Sequence, residues 1–158
     1  MDIDQIIKSF RLNNGFGQDE IEAVRSNQEL RTALVAHFKT ERDRPFALAL
    51  LNTFIELRKD PENEIPIEDL MLAGFLLGAH GHVEDSLKIW EAKQVDFDTY
   101  CGLDIQLVAF AGVDKTISFL QTQTSDEAGE ALKYILICLE AGDFNNLKGY
   151  YDETHWWI

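Results

Sequence analysis

Six consecutive residues, His80-Gly81-His82-Val83-Glu84-Asp85, carry two imidazoles and two carboxylates, the densest run of metal-ligating side chains in this 158-residue chain. Imidazole and carboxylate bind zinc and similar ions, and a hydrolytic centre uses about three protein ligands with one position left open. A helical metal site spaces its histidines so that both share a face. Here they flank a glycine at a turn, which is the wrong spacing. The same residues have a structural use. His80 would lie near the negative end of one helix, and Glu84 and Asp85 in the first turn of the next, where the positive end favours them. That use is the expectation, so no metal and no cofactor are assigned. A metal-dependent hydrolase built on His80, His82, Glu84 and Asp85 is the rival reading.

Other spacings that could do chemistry fail sooner. Asp96-Phe97-Asp98 with Asp104 suggests a calcium loop, but counting from Asp96 the places that need glycine and glutamate hold Cys101 and Leu107. Asp96 and Asp98 form a carboxylate pair of the kind acid–base hydrolysis uses, yet in so acidic a chain such pairs arise by chance. Cys101 has no nucleophile signature around it. Both it and Cys138 sit among apolar residues, which predicts two buried, reduced thiols. Gly15-Phe16-Gly17 lacks the strand before it and the Lys and Ser or Thr after it that a phosphate loop requires. No catalytic residue is assigned, and the chain is read as non-enzymatic.

Charge is distributed unevenly. Residues 60–158 hold nineteen Asp and Glu against five Lys and no Arg, whereas residues 1–59 balance nine acids with nine bases, so the whole net charge of −14 belongs to the second part. Such a field favours a basic protein partner. It disfavours nucleic acid and anionic membrane, both of which need phosphate-neutralising Lys and Arg. Glu84, Asp85, Glu91, Asp96, Asp98, Asp104 and Asp114 are the acids expected on an exposed binding face. The final stretch adds Trp156 and Trp157, which are either aromatic anchors for a partner or a cap folded over the last helices. The plainer alternative for the acids is a solvated face that keeps the protein soluble. The acidic start has no basic segment followed by an apolar run, and Leu70 to Ala79 is the longest apolar stretch, so a cytoplasmic protein is expected.

The elements that must position these groups are helices. Apolar positions recur at three- and four-residue spacing throughout, and no run alternates with period two. The pattern predicts helices over 4–12, 19–25, 26–41 with Ser26 and Glu29 as a capping box, and 45–59 with Pro45 in the first turn and Phe46, Leu50, Phe54 and Leu57 buried. Residues 60–66 contain two prolines and mark the charge break, which places a subdomain boundary there within a single domain. Beyond it, helix pairs turn at Gly81, Gly112 and Gly142, over 67–80 and 83–94, 103–111 and 114–121, and 125–141 and 144–151. These glycines lie 31 and 30 residues apart, a period that suits stacked helix–turn–helix units.

Ala79-His80-Gly81-His82-Val83-Glu84-Asp85-Ser86-Leu87-Lys88, followed by Glu91 to Asp98 and Gly102, resembles the second helix of an ankyrin repeat and the loop to the next unit. The family's Thr-Pro-Leu-His opening is absent, with Asp104-Ile105-Gln106-Leu107 near its place, and the unit ending at Gly112 runs one residue short. The resemblance covers roughly Leu70 to Leu120. It implies stacked helix pairs with a protein-binding surface and no catalysis; another helical solenoid is the alternative. The expectation is therefore an all-α protein, a helical bundle leading into stacked helix pairs, that binds a basic protein as an inhibitor or immunity-type partner. A purely structural subunit is the third reading.

Overall fold

Capping side chains and turn residues set the helix ends. Asp2 opens α1 (Ile3–Asn13) through a capping box with Gln5, and Asn14 closes it in the left-handed conformation at φ 52°. α2 (Gln18–Ser26) and α3 (Gln28–Thr40) meet at Asn27, which ends the first and caps the second by accepting the Leu30 N–H at 3.1 Å. The expected Ser26–Glu29 box does not form and the cap lies one residue later, because the Ser26 hydroxyl donates back to the Glu22 carbonyl. Asp43 caps α4 (Arg44–Lys59) with Pro45 in its first turn. Phe46, Leu50 and Phe54 of this helix are buried as expected, while Leu57 is half-buried.

The computed structural model describes residues 1–158; it is 72% helical with no strands, an all-α protein. In its second part α5 (Ile67–Gly78) stops two residues earlier than the apolar pattern predicts. The segment 83–94 is a 3₁₀ turn (Val83–Asp85) leading into α6 (Ser86–Lys93). The predicted helix 103–111 is shortened to α8 (Ile105–Val108), and a helix that the apolar pattern did not predict, α7 (Phe97–Gly102), precedes it. Asp96 opens α7, since its side chain caps that helix in a second box with Thr99. α9 (Val113–Gln121), α10 (Asp126–Ala141, capped by Ser125) and α11 (Leu147–Asp152) complete the chain.

Gly81, Gly112 and Gly142 are the glycines with positive φ, at 76°, 100° and 86°. Gly142 shows the reason most clearly. It is the first residue past α10, in the left-handed region, where the following N–H of Asp143 can reach the Cys138 carbonyl at 3.0 Å and a side-chain-bearing residue would be strained.

α5 is the axis. Every residue from Asp69 to Gly78 is buried, as a helix apolar on all sides requires. α4 lies along it, and α3, α6, α7 and α8 close around it. Burying each large apolar side chain contributes about 1.5–3 kcal/mol, and one continuous cluster of 39 buried residues runs from Ile6 to Ile158. Residues 60–66 therefore form a turn between two helices of the same core. On the N-terminal side Phe10, Phe16, Phe38 and Phe46 pack as a ring cluster with centroids about 5 Å apart.

A charged group sits inside this apolar frame. Arg31, 7% exposed, donates to the Asp69 carboxylate at 2.6 Å and to the carbonyls of Val24, Glu68 and Trp157. Arg25 reaches the other oxygen of Asp69 at 3.2 Å and the Glu64 carbonyl at 2.7 Å. Burial raises the Asp69 carboxyl above its ordinary range, and the two guanidiniums offset part of that rise. Replacing Arg31 by Met should destabilise the protein by about 3–5 kcal/mol, because it leaves the buried Asp69 carboxylate with Arg25 alone and three carbonyls without this donor. Urea denaturation measures this, and a loss under about 1 kcal/mol would remove the pair from the list of major constraints.

Candidate functional site

The His80–Asp85 run does not assemble as a ligand set. The His80 ring is half-buried with both nitrogens engaged: Nδ1–H donates to the Leu76 carbonyl at 2.9 Å, and Nε2 accepts the Asp43 N–H at 3.0 Å. Burial holds this imidazole below its ordinary pKa and so keeps it neutral. Asp85 is buried, 3% exposed, and its carboxylate is taken in bidentate fashion by Arg44 of α4. Only His82 and Glu84 are free at the surface, 3.4 Å apart. No group of three His, Cys, Asp or Glu side chains is placed to hold a metal ion.

The seven acids expected on one exposed face divide into two classes. Asp85 is a correction, an internal strut instead of a surface charge. Glu91 is half-buried and bridged by Lys88 and Lys59; burial works against its charge, but the two ammonium groups prevail and hold its pKa below the ordinary value. Asp104 is half-buried and accepts the Tyr150 hydroxyl at 2.9 Å. Asp96 is bound by Arg58, with Nε–H donating at 2.7 Å, and by the Thr99 N–H; both keep its carboxyl below the ordinary range. Asp98 is open to solvent, 3.9 Å from the edge of Arg58. Asp114 and Glu84 are exposed.

Arg25, Arg31, Arg44, Arg58 and Lys59 thus reach across from the first 59 residues to carboxylates of the second part. Part of the charge asymmetry is internal complementarity between the two halves of one molecule.

The two terminal tryptophans also separate. Trp157 is 3% exposed, stacked on His155 at 4.6 Å and edge-on to Phe75 of α5, and its carbonyl accepts two N–H groups of Arg31. It is a cap. Trp156 is 77% exposed and covers nothing in the core.

The surface with free apolar area lies elsewhere, along α6, α7 and α10. Phe97 is 78% exposed and Ile137 60% exposed, with Tyr100, Leu136 and Leu139 partly exposed nearby in sequence. Trp90, Tyr100, Tyr134 and Ile137 wall a pocket of about 300 Å³, with Glu130 and Lys133 at its polar edge. Beneath it Lys93 is buried without a carboxylate partner. Its ammonium donates to the carbonyls of Tyr100 and Leu103, at 2.6 Å each, and faces the rings of Tyr100 and Tyr134 at 5.6 and 5.2 Å. Desolvation lowers its pKa. Cys138 is buried, its thiol pushed up to about 11 by desolvation and by Asp143. Cys101 is exposed, against expectation, because α7 is a single surface turn.

Sequence reasoning passed over this surface, although a signal was present. Phe97 stands between two aspartates that open a helix, a setting that cannot be buried without partners for both. α10 carries apolar residues on both sides of its buried stripe of Ala128, Ala131, Ile135 and Cys138. No protein-family model, characterised protein or solved structure matches this chain. No helix is long and apolar enough to cross a membrane.

Trp157→Ala should cost about 3–5 kcal/mol and lower the melting temperature, as loss of a buried tryptophan does. Trp156→Ala should stay within about 0.5 kcal/mol of wild type; equal effects of the two would contradict the division between cap and free ring. For Asp96, a folded-state pKa below the unfolded value means that its contribution is present above the ordinary aspartate range and is lost as pH falls through the lowered value. The stability gap between wild type and Asp96→Asn should therefore be constant near neutrality and close in acid. A gap that widens on acidification would reverse the assigned sign.

Proposed function

We propose that this chain is a non-catalytic binding protein for a basic protein partner, engaged through the acidic and aromatic surface of its second half. One observation carries the reading. Residues 94–158 hold eleven acids against three lysines, and only Asp96 and Asp98 of those eleven make an ion pair within the protein. Apart from Asp104, which accepts the Tyr150 hydroxyl, the remaining carboxylates are not needed for the fold's internal pairing. A field of one sign over one part of a surface speeds encounter with an oppositely charged partner and repels competitors. Exposed aromatic and aliphatic side chains on the same part supply the apolar contact that charge alone does not. A protein of this kind acts by occupying the basic surface of its partner, as an inhibitor or immunity-type protein does.

Capture from a lysate of the native source tests this when wild type is compared with a triple charge reversal, Asp114→Lys, Glu130→Lys and Glu140→Lys. Wild type should retain a basic protein that is released by stepwise salt, because screening weakens exposed charge contacts. The triple variant should retain none of it. Equal retention by both proteins, with the same salt dependence, would overturn the reading; association that high salt does not break would favour a structural subunit.

A further inference from the structure

We infer that the pocket between α6, α7 and α10 receives an apolar side chain from a basic amphipathic helix of the partner, with that helix lying along α10. This rests on the acidic-surface reading and specifies where and how the partner docks. The pocket holds about 300 Å³, enough for one large side chain, and its walls are rings and an aliphatic residue: Trp90, Tyr100, Tyr134 and Ile137. Phe97 and Ile137 offer the most exposed apolar area in this region of the molecule.

Charge decides the occupant. Asp126, Glu127, Glu130 and Glu140 on α10 and Asp143 just past it are all exposed, and Lys133 is the one base among them. A second copy of this chain is disfavoured by symmetry, since a twofold contact sets a patch against itself and would bring these carboxylates together. An anionic lipid surface is repelled for the same reason. A helix with lysine or arginine on both sides of an apolar stripe meets the opposite sign along the rim and the ring walls at the centre, the helix-in-groove arrangement. From Glu130 to Glu140 the face is about 15 Å long, which matches about three turns of a partner helix. The pocket floor is rigid because Lys93 ties the Tyr100 and Leu103 carbonyls together under both tyrosine rings. Trp90 brings a built-in reporter: its buried indole N–H has no hydrogen-bond partner in the protein.

The test uses the full chain, ¹⁵N-labelled, titrated with three synthetic peptides of equal length: Lys/Leu with helical amphipathic spacing, Lys/Gly/Ser with the same charge and no apolar stripe, and Glu/Leu. The Lys/Leu peptide should bind at least tenfold more tightly than the Lys/Gly/Ser peptide. Its shifts should concentrate at 97–101 and 130–140 and include the Trp90 indole N–H resonance. Phe97→Ser and Ile137→Ser, both at exposed positions and checked by thermal melting, should each weaken it by about tenfold, the loss that follows removal of an interface anchor. Equal binding of the two basic peptides, or shifts centred on Trp156, would overturn the pocket assignment and leave the acidic-surface reading standing. Failure of both basic peptides to bind would remove both. Self-association of wild type that Ile137→Ser abolishes would assign the pocket to a second copy and overturn the heterologous partner.

Discussion

A guanidinium enclosed by protein is stable only when each of its five N–H groups finds an acceptor, and Arg31 meets that condition. Nε–H and one Nη2–H donate to the Trp157 carbonyl, the other Nη2–H to Glu68, and the two Nη1–H groups to Val24 and Asp69. The acceptors belong to α2, to the start of α5 and to the C-terminal segment, so one side chain on α3 sets the relation of three other pieces of chain. Displacing any one of them leaves a donor or acceptor unpaired in an apolar surrounding, which costs more than the bond contributes when made. The apolar core supplies most of the driving force, and this polar node selects the single arrangement in which that core closes.

The same logic extends along the seam between the two halves. Arg44 fixes the 3₁₀ turn before α6 through Asp85, and Arg58 fixes the start of α7 through Asp96 while also donating to the Ile65 carbonyl. The seam is a row of struts with α4 on one side. The acids that remain outside that row lie mostly on α9, α10 and the segments after them. Structure and surface charge are therefore divided by position, and substitution of the outlying carboxylates leaves the struts intact.

Helices, their approximate limits and the three glycine turns were legible because each depends on local chemistry: apolar spacing, a capping side chain, a left-handed residue. The misplacements also have local causes. Asn27 outcompeted Ser26 as a cap because the serine hydroxyl was already committed to Glu22. Asp96 starts a short helix, α7, that the apolar pattern did not predict. What could not be read was which acid meets which base. Asp85 and Glu84 are neighbours of like chemistry, yet one is buried against Arg44, 41 residues away, and the other faces solvent. Only the path of α4 past the turn distinguishes them. For the same reason the pocket walled by Tyr100 and Tyr134 is not legible in the sequence, since α10 supplies one side of it from some thirty residues beyond α6 and α7.

The contact between Arg31 and Trp157 spans 126 residues, and Gln28 donates to the Ile158 carbonyl across 130. Closing so long a loop is entropically late and yields nothing until the intervening helices have condensed. During synthesis α2, α3 and α4 leave the ribosome with Arg25, Arg31, Arg44 and Arg58 still awaiting Asp69, Asp85 and Asp96, which have not been made. The segment that completes the Arg31 shell is translated more than a hundred residues after α3. Final locking of this molecule therefore waits on residues 157 and 158, and amide exchange in α3 would report the moment at which it happens.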